Sequence, residues 1–154
     1  MHTIIVTGLS GSGKSVVLKV LEDAGYYCVD NLPVLFVHDL VLFLQKMGND
    51  KVALSIDVRS GSGIGDLPKA IDQLTSQKID TRVLFLEANS ETIVKRFSEA
   101  RRPHPLANDQ RTLQECIGWE RNILSAVAER AHHIDTSDLG PNALRAWVRD
   151  FIQL

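Results

Sequence analysis

Cysteine is nearly missing from the 154 residues: Cys28 and Cys116 are the only two, and they lie far apart. Two thiols make no disulfide framework, and no Cys/His spacing matches a zinc site. Aromatic residues make up 6% of the chain and none alternates with basic residues, so a stacking platform for single-stranded nucleic acid is excluded. Neither sign of charge is in excess. With 17 Lys and Arg against 19 Asp and Glu, the formal net charge is -2, which argues against a sequence-indifferent grip on nucleic acid. No apolar run reaches the ~18 residues that span a bilayer, so no membrane partner is expected. Met1 to Gly8 has no cationic region followed by an apolar one, as a signal peptide would. The expected setting is cytoplasmic and reducing.

The composition is that of an ordinary globular chain, 44% hydrophobic and 23% charged. At this length about two thirds of the surface can be buried without metal or disulfide staples. Short apolar runs alternate with longer amphipathic stretches, the pattern of a parallel sheet covered by helices. Strands are expected at Thr3–Thr7, Tyr26–Val29, Lys51–Val58, Arg82–Leu86 and His132–Asp135. Helices are expected at Lys14–Ala24, Val34–Met47 (with Pro33 in the first turn), Leu67–Gln77, Ser90–Arg102, Leu113–Ala131 and Leu139–Ile152. With the segment Gly8-Leu9-Ser10-Gly11-Ser12-Gly13-Lys14-Ser15 between the first strand and the first helix, the expected architecture is a three-layer α/β fold of the P-loop NTPase type, kinase-like, with a five-stranded parallel sheet. Residues 1–154 read as one domain. The last helix has no stop signal, so the expectation is the N-terminal domain of a longer protein.

Gly8-Leu9-Ser10-Gly11-Ser12-Gly13-Lys14-Ser15 satisfies the Walker A pattern G-x-x-x-x-G-K-S, directly after a strand and directly before a helix. Glycines at 8, 11 and 13 let the backbone turn so that successive N–H groups face inward as an anion nest. The dipole of the following helix adds positive potential at the same place. Lys14 supplies a point charge for the β- and γ-phosphates of a nucleoside triphosphate, and the Ser15 hydroxyl is a ligand for Mg²⁺. The plain alternative, a glycine-rich connecting turn, leaves the lysine and the serine without a reason.

In a doubly wound sheet, ligands gather at the carboxyl ends of the strands. Asp57 closes an apolar strand there and is expected to hold Mg²⁺ or its waters; the alternative is an aspartate that turns the chain. Asp30 positions a nucleophile or a metal-bound water, or else Asp30-Asn31 is turn chemistry. Arg96, Arg101 and Arg102 form a lid whose guanidiniums close over the γ-phosphate, or answer the helix dipole. His104, in the Pro103-His104-Pro105 kink, could help that lid, but as a lone loop histidine it is expected to be solvated. The Gly61-Ser62-Gly63-Ile64-Gly65 run lacks a lysine and is expected to be a flexible loop.

Two further blocks sharpen this. Tyr26-Tyr27-Cys28-Val29-Asp30-Asn31-Leu32-Pro33 and Arg101-Arg102-Pro103-His104-Pro105-Leu106 follow the Gly8–Ser15 loop in that order. Ser55-Ile56-Asp57-Val58-Arg59, Leu84-Phe85-Leu86-Glu87-Ala88 and Ile134-Asp135-Thr136-Ser137 complete the match. The chain resembles the RapZ/YvcJ-type P-loop nucleotide-binding proteins along essentially its whole length. The resemblance implies binding and slow hydrolysis of ATP and GTP. Gly8–Ser15 matches the family's ATP loop, and Asp57-Val58-Arg59-Ser60 its guanine-nucleotide stretch, with Ser60 standing where the family pattern has asparagine. Family members are longer, with a C-terminal half absent from this chain, and the RNA binding of that half is not carried over. The expected function is a regulatory nucleotide-binding domain with weak ATPase or GTPase activity. In it Lys14, Asp57, Arg101 and Arg102 are catalytic and Ser15 and Asp57 hold the metal. The alternative is a small-molecule kinase whose acceptor hydroxyl sits between Asp30 and the γ-phosphate.

Overall fold

The computed structural model describes residues 1–57, 65–108 and 110–153. β1 (His2–Gly8), β2 (Tyr27–Val29), β3 (Lys51–Ser55), β4 (Asp80–Glu87) and β5 (His132–Asp135) form one parallel sheet in the order β2-β3-β1-β4-β5. β1 therefore lies at the centre, paired with β3 from His2↔Lys51 to Val6↔Ser55 and with β4 from His2↔Asp80 to Gly8↔Leu86. A central parallel strand is covered on both faces, so its residues are apolar without alternation. Ile4 and Val6 face one side, packing with α1 (Lys14–Asp23) and α7 (Pro141–Ile152). Ile5 and Leu9 face the other, packing with α2 (Val37–Lys46), α3 (Leu67–Ser76), α4 (Ser90–Ala100), α5 (Leu113–Ile123) and α6 (Ser125–Ala128). All five expected strands and the three-layer α/β arrangement are present. Among the described residues, no helix is long and apolar enough to cross a membrane.

The boundaries that differ from the sequence expectation have local causes. β4 extends over Asp80–Glu87 because its polar start is already in register with His2, and ladder bonds do not depend on side-chain polarity. Pro33 is extended (φ -63, ψ 138) and caps a 3-10 turn, Val34–Phe36, that precedes α2. α4 stops at Ala100 and Arg101 is left-handed (φ 54), because Arg102 precedes Pro103 and helical geometry is disfavoured there. The expected long helix Leu113–Ala131 breaks at Leu124, where the Ser125 hydroxyl donates to the Asn122 carbonyl at 2.9 Å. Ile117, Leu124 and Val127 are all in the core.

Candidate functional site

Because β1 is central, the loop after it emerges in the middle of the sheet's carboxyl edge. Gly8 has φ +137, and a Cβ there would lie 2.1 Å from the Leu86 carbonyl oxygen of β4. Only glycine lets the loop leave the sheet this close to the neighbouring strand. The Leu9 amide donates to that same Leu86 oxygen at 3.1 Å. Gly11 (φ +82) and Gly13 (φ +108) are also left-handed. Gly13 is the N-cap of α1 and offers no side chain, and the first turn of α1 holds no acidic residue. Helix starts normally satisfy their amides with a capping side chain. Here the N–H groups of Gly11, Gly13 and Ser15 have no hydrogen-bond acceptor among the described residues. The loop thus concentrates N–H donors at a helix start, with Gly11 and Ser15 open to solvent.

The Lys14 ammonium folds across this loop and donates to the Gly8 and Leu9 carbonyls, each at 2.9 Å. Lys14 and Ser15 line a cleft of about 450 Å³ together with Ser10, Gly11 and Gly13. Its other walls include Asp30, Asp57, Phe97 and Arg102. Asp57 lies two residues beyond β3 and is buried, 2% exposed, whereas Asp30 at the end of β2 is exposed. Asn31 after it is left-handed (φ 53), so the turn reading of Asp30-Asn31 holds alongside its place in the cleft. The structure thus brings Lys14, Ser15, Asp30, Asp57 and Arg102 to one cavity from four separated segments of sequence. Val58, Arg59 and Ser60, and residues 61–64, lie outside the described residues.

The arginines divide. Arg102 lines the cleft, while Arg101 is the exposed left-handed cap of α4 and is not among its walls. Arg96 also reaches the cleft, but its guanidinium is committed to backbone. It donates to the Gly11 carbonyl at 2.9 Å, to the Thr136 carbonyl at 2.6 Å and to the Thr136 hydroxyl at 3.1 Å. The buried Thr136 hydroxyl in turn donates to the Ser12 carbonyl at 2.7 Å. Arg96 and Thr136 therefore clamp the glycine loop to the segment after β5. Arg96→Lys keeps the charge but not the planar fork. It is expected to cost about 2 kcal/mol, the scale of lost charged hydrogen bonds. Thermal denaturation followed by circular dichroism should show this as a melting temperature roughly 4–8 °C lower.

His104 is a correction to the sequence expectation. It is 3% exposed, its ring lies 5.3 Å from that of Phe97, and its Nε2 is 3.1 Å from Glu120 Oε1. Glu120 was not legible as a site residue by motif. One signal was present: on α5 it shares the buried face with Cys116 and Ile117, where a carboxylate needs a buried partner.

Cys28 sits in the block that carries the resemblance, but it is not poised as a nucleophile. Burial, with Glu22 nearby, pushes its thiol up to about 11 from the ordinary 9.0. The Sγ lies 3.6 Å from both the Leu18 and Tyr26 carbonyls, to which a protonated thiol donates. The thiolate is the reactive form. Alkylation by iodoacetamide at pH 8 should therefore run about a hundredfold slower than in the unfolded chain, as two units of pKa require. The rate should climb until pH reaches about 11. Because the folded value is the higher one, the thiol's contribution to stability is intact below about 9 and is lost as pH rises through about 11.

Solved structures with this fold include kinases. A sugar kinase from Janibacter sp. HTCC2649 superposes with a TM-score of 0.64 at 16% identity, covering 99% of this chain and 95% of that one. Shikimate kinase from Acinetobacter baumannii gives 0.59 at 17% identity, covering 98% and 90%. The chain is thus an α/β protein of the P-loop kinase fold. Within that class it belongs to the RapZ-like N-terminal domain family, whose model matches residues 1–153. It is 51% identical over 152 residues to a nucleotide-binding protein of Azoarcus sp. strain BH72, covering 99% of this chain and 52% of that protein. A nucleotide-binding protein of Methylobacillus flagellatus is 52% identical over 152 residues, with coverage of 99% and 54%. The chain spans about half the length of the curated relatives it matches.

Proposed function

We propose that this chain is a regulatory nucleotide-binding domain that takes ATP or GTP with Mg²⁺ and hydrolyses it slowly. The observation that carries the reading is the Lys14 ammonium beside the amides of Gly11, Gly13 and Ser15, which have no acceptor among the described residues. Converging N–H donors at a helix start with a fixed cation are complementary to a polyphosphate. The Ser15 hydroxyl and the Asp57 carboxylate line the same cleft and are hard oxygen donors suited to Mg²⁺. Mg²⁺ keeps most of its water and takes one or two protein oxygens plus phosphate, so this small donor set fits it. When bound, the ion would neutralise charge on the β- and γ-phosphates. Lys14 would hold those phosphates, and Arg102 would meet the charge that develops on the γ-phosphate. Arg101, Val58, Arg59 and Ser60 enter the proposal on the family resemblance alone. The relatives named as nucleotide-binding proteins support the same reading.

Titration calorimetry of the chain with non-hydrolysable ATP and GTP analogues, with and without Mg²⁺, tests it. Binding strengthened by Mg²⁺ is the expected result, and no heat with either nucleotide refutes the proposal. A second reading, a small-molecule kinase, is favoured by one observation: Asp30 lines the same cleft as Lys14 and could accept the proton of an acceptor hydroxyl. ADP formation stimulated strongly by one metabolite in a panel would favour it over slow hydrolysis.

A further inference from the structure

One wall of the cleft is docked onto the glycine loop by a buried ionic network. Glu120 of α5 is fully buried. Its Oε1 accepts the Ser10 amide at 2.8 Å, and its Oε2 accepts the Ser10 hydroxyl at 2.6 Å. His104 Nδ1 accepts the Leu106 amide at 3.0 Å, so the ring hydrogen sits on Nε2 and is donated to Glu120 Oε1 at 3.1 Å. Three donors thus satisfy a carboxylate that is shielded from water, and the Ser10 amide is committed to it. A carboxylate shielded in this way is costly unless it is fully hydrogen-bonded, and such networks fix one geometry. What this one fixes is the spacing between two parts of the cleft. Ser10 belongs to the glycine loop, and His104 belongs to the Arg102-Pro103-His104-Pro105 segment that carries the Arg102 guanidinium. Phe97 braces the same junction, with its ring against that of His104 and its Cε2 atom 3.2 Å from where a Cβ on Gly11 would lie.

We propose that Glu120 and His104 are positioning residues that anchor the Arg102 segment to the glycine loop. Arg102 then serves as a fixed wall at the terminal phosphate and not as a swinging lid. This rests on the nucleotide reading above. A docked guanidinium adds a charge-assisted contact to a γ-phosphate that a diphosphate lacks. The network therefore acts on the preference for triphosphate over diphosphate.

The test compares affinities for ADP and for a non-hydrolysable ATP analogue by calorimetry, with melting curves in parallel. His104→Phe keeps a ring beside Phe97 but removes the donor, and should cut the triphosphate preference about tenfold while leaving ADP affinity nearly unchanged. His104→Gln restores an N–H and should recover most of the preference. Arg102→Ala, on an exposed side chain, should lose the same preference, and the Arg102→Ala/His104→Phe double variant should lose no more than Arg102→Ala alone. Equal weakening toward both nucleotides in His104→Phe, the pattern of a general structural role, overturns the proposal. So does an unchanged preference in Arg102→Ala, a variant that settles the question even where His104→Phe does not fold. Failure of the unmodified chain to bind either nucleotide overturns the underlying reading and this inference with it. Intact binding with unaltered preference overturns this inference alone.

Discussion

Gly8→Ala is expected to cost about 4 kcal/mol or more, enough to remove most of the folded population of a typical domain. Two separate penalties act at this position. The backbone has φ +137, a region that an L side chain enters only with strain of about 1–3 kcal/mol. The added Cβ would also meet three atoms of the β4 backbone: Leu86 O at 2.1 Å, Leu86 N at 2.7 Å and Leu86 C at 2.9 Å. Backbone atoms in a central ladder cannot step aside as a flexible side chain can. Either β1 and β4 part at the Gly8↔Leu86 register or the loop is displaced, and the Leu9–Leu86 bond is lost in both cases. Urea unfolding followed by circular dichroism measures the cost. Gly25→Ala is the control, since its Cβ would find nothing within 4 Å and only the left-handed backbone (φ +93) opposes it. A Gly8→Ala midpoint close to that of Gly25→Ala would contradict the close approach of the two strands.

Lys14→Ala should weaken nucleotide binding at least tenfold, which is about 1.4 kcal/mol or more. The loop amides would remain, so the loss isolates the ammonium. In the structure Nζ is held by the Gly8 and Leu9 carbonyls at 2.9 Å, which places the charge over the loop and makes it available to a polyphosphate without a search of rotamers. Stability is not expected to fall in parallel. The Lys14 side chain is only half-buried, and the Gly8 and Leu9 carbonyls that accept from it are backbone atoms of the loop itself. Lys14→Arg should not restore affinity, because a planar fork cannot reproduce a compact point charge inside a tight loop. Calorimetry with a non-hydrolysable triphosphate is the measurement. An unchanged dissociation constant for Lys14→Ala would remove Lys14 from the phosphate site.

Much of the fold was legible in the chain because local chemistry and tertiary context agree there. The β-branched run through Ile4, Ile5 and Val6 marks a strand buried on both faces. The three glycines of the loop take the positive φ angles that their spacing between strand and helix implies. Disagreement came where polar groups compete with periodicity. Ser125 diverts its hydroxyl to Asn122 and breaks a helix that hydrophobic spacing alone would continue. Arg102, placed before a proline, ends α4 earlier than the apolar pattern suggests.

By itself the sequence determined the strand–loop–helix at the amino end and the parallel α/β class. Each of these is written in short-range spacing, over distances where steric limits and hydrogen-bond geometry act on neighbours in the chain. Only the tertiary structure decided which arginine reaches the cleft, that Arg96 and Thr136 clamp the loop, and that His104 and Glu120 meet Ser10 in the interior. Those outcomes depend on side chains brought together across the sheet, and no periodicity encodes a pairing whose partners lie in different layers.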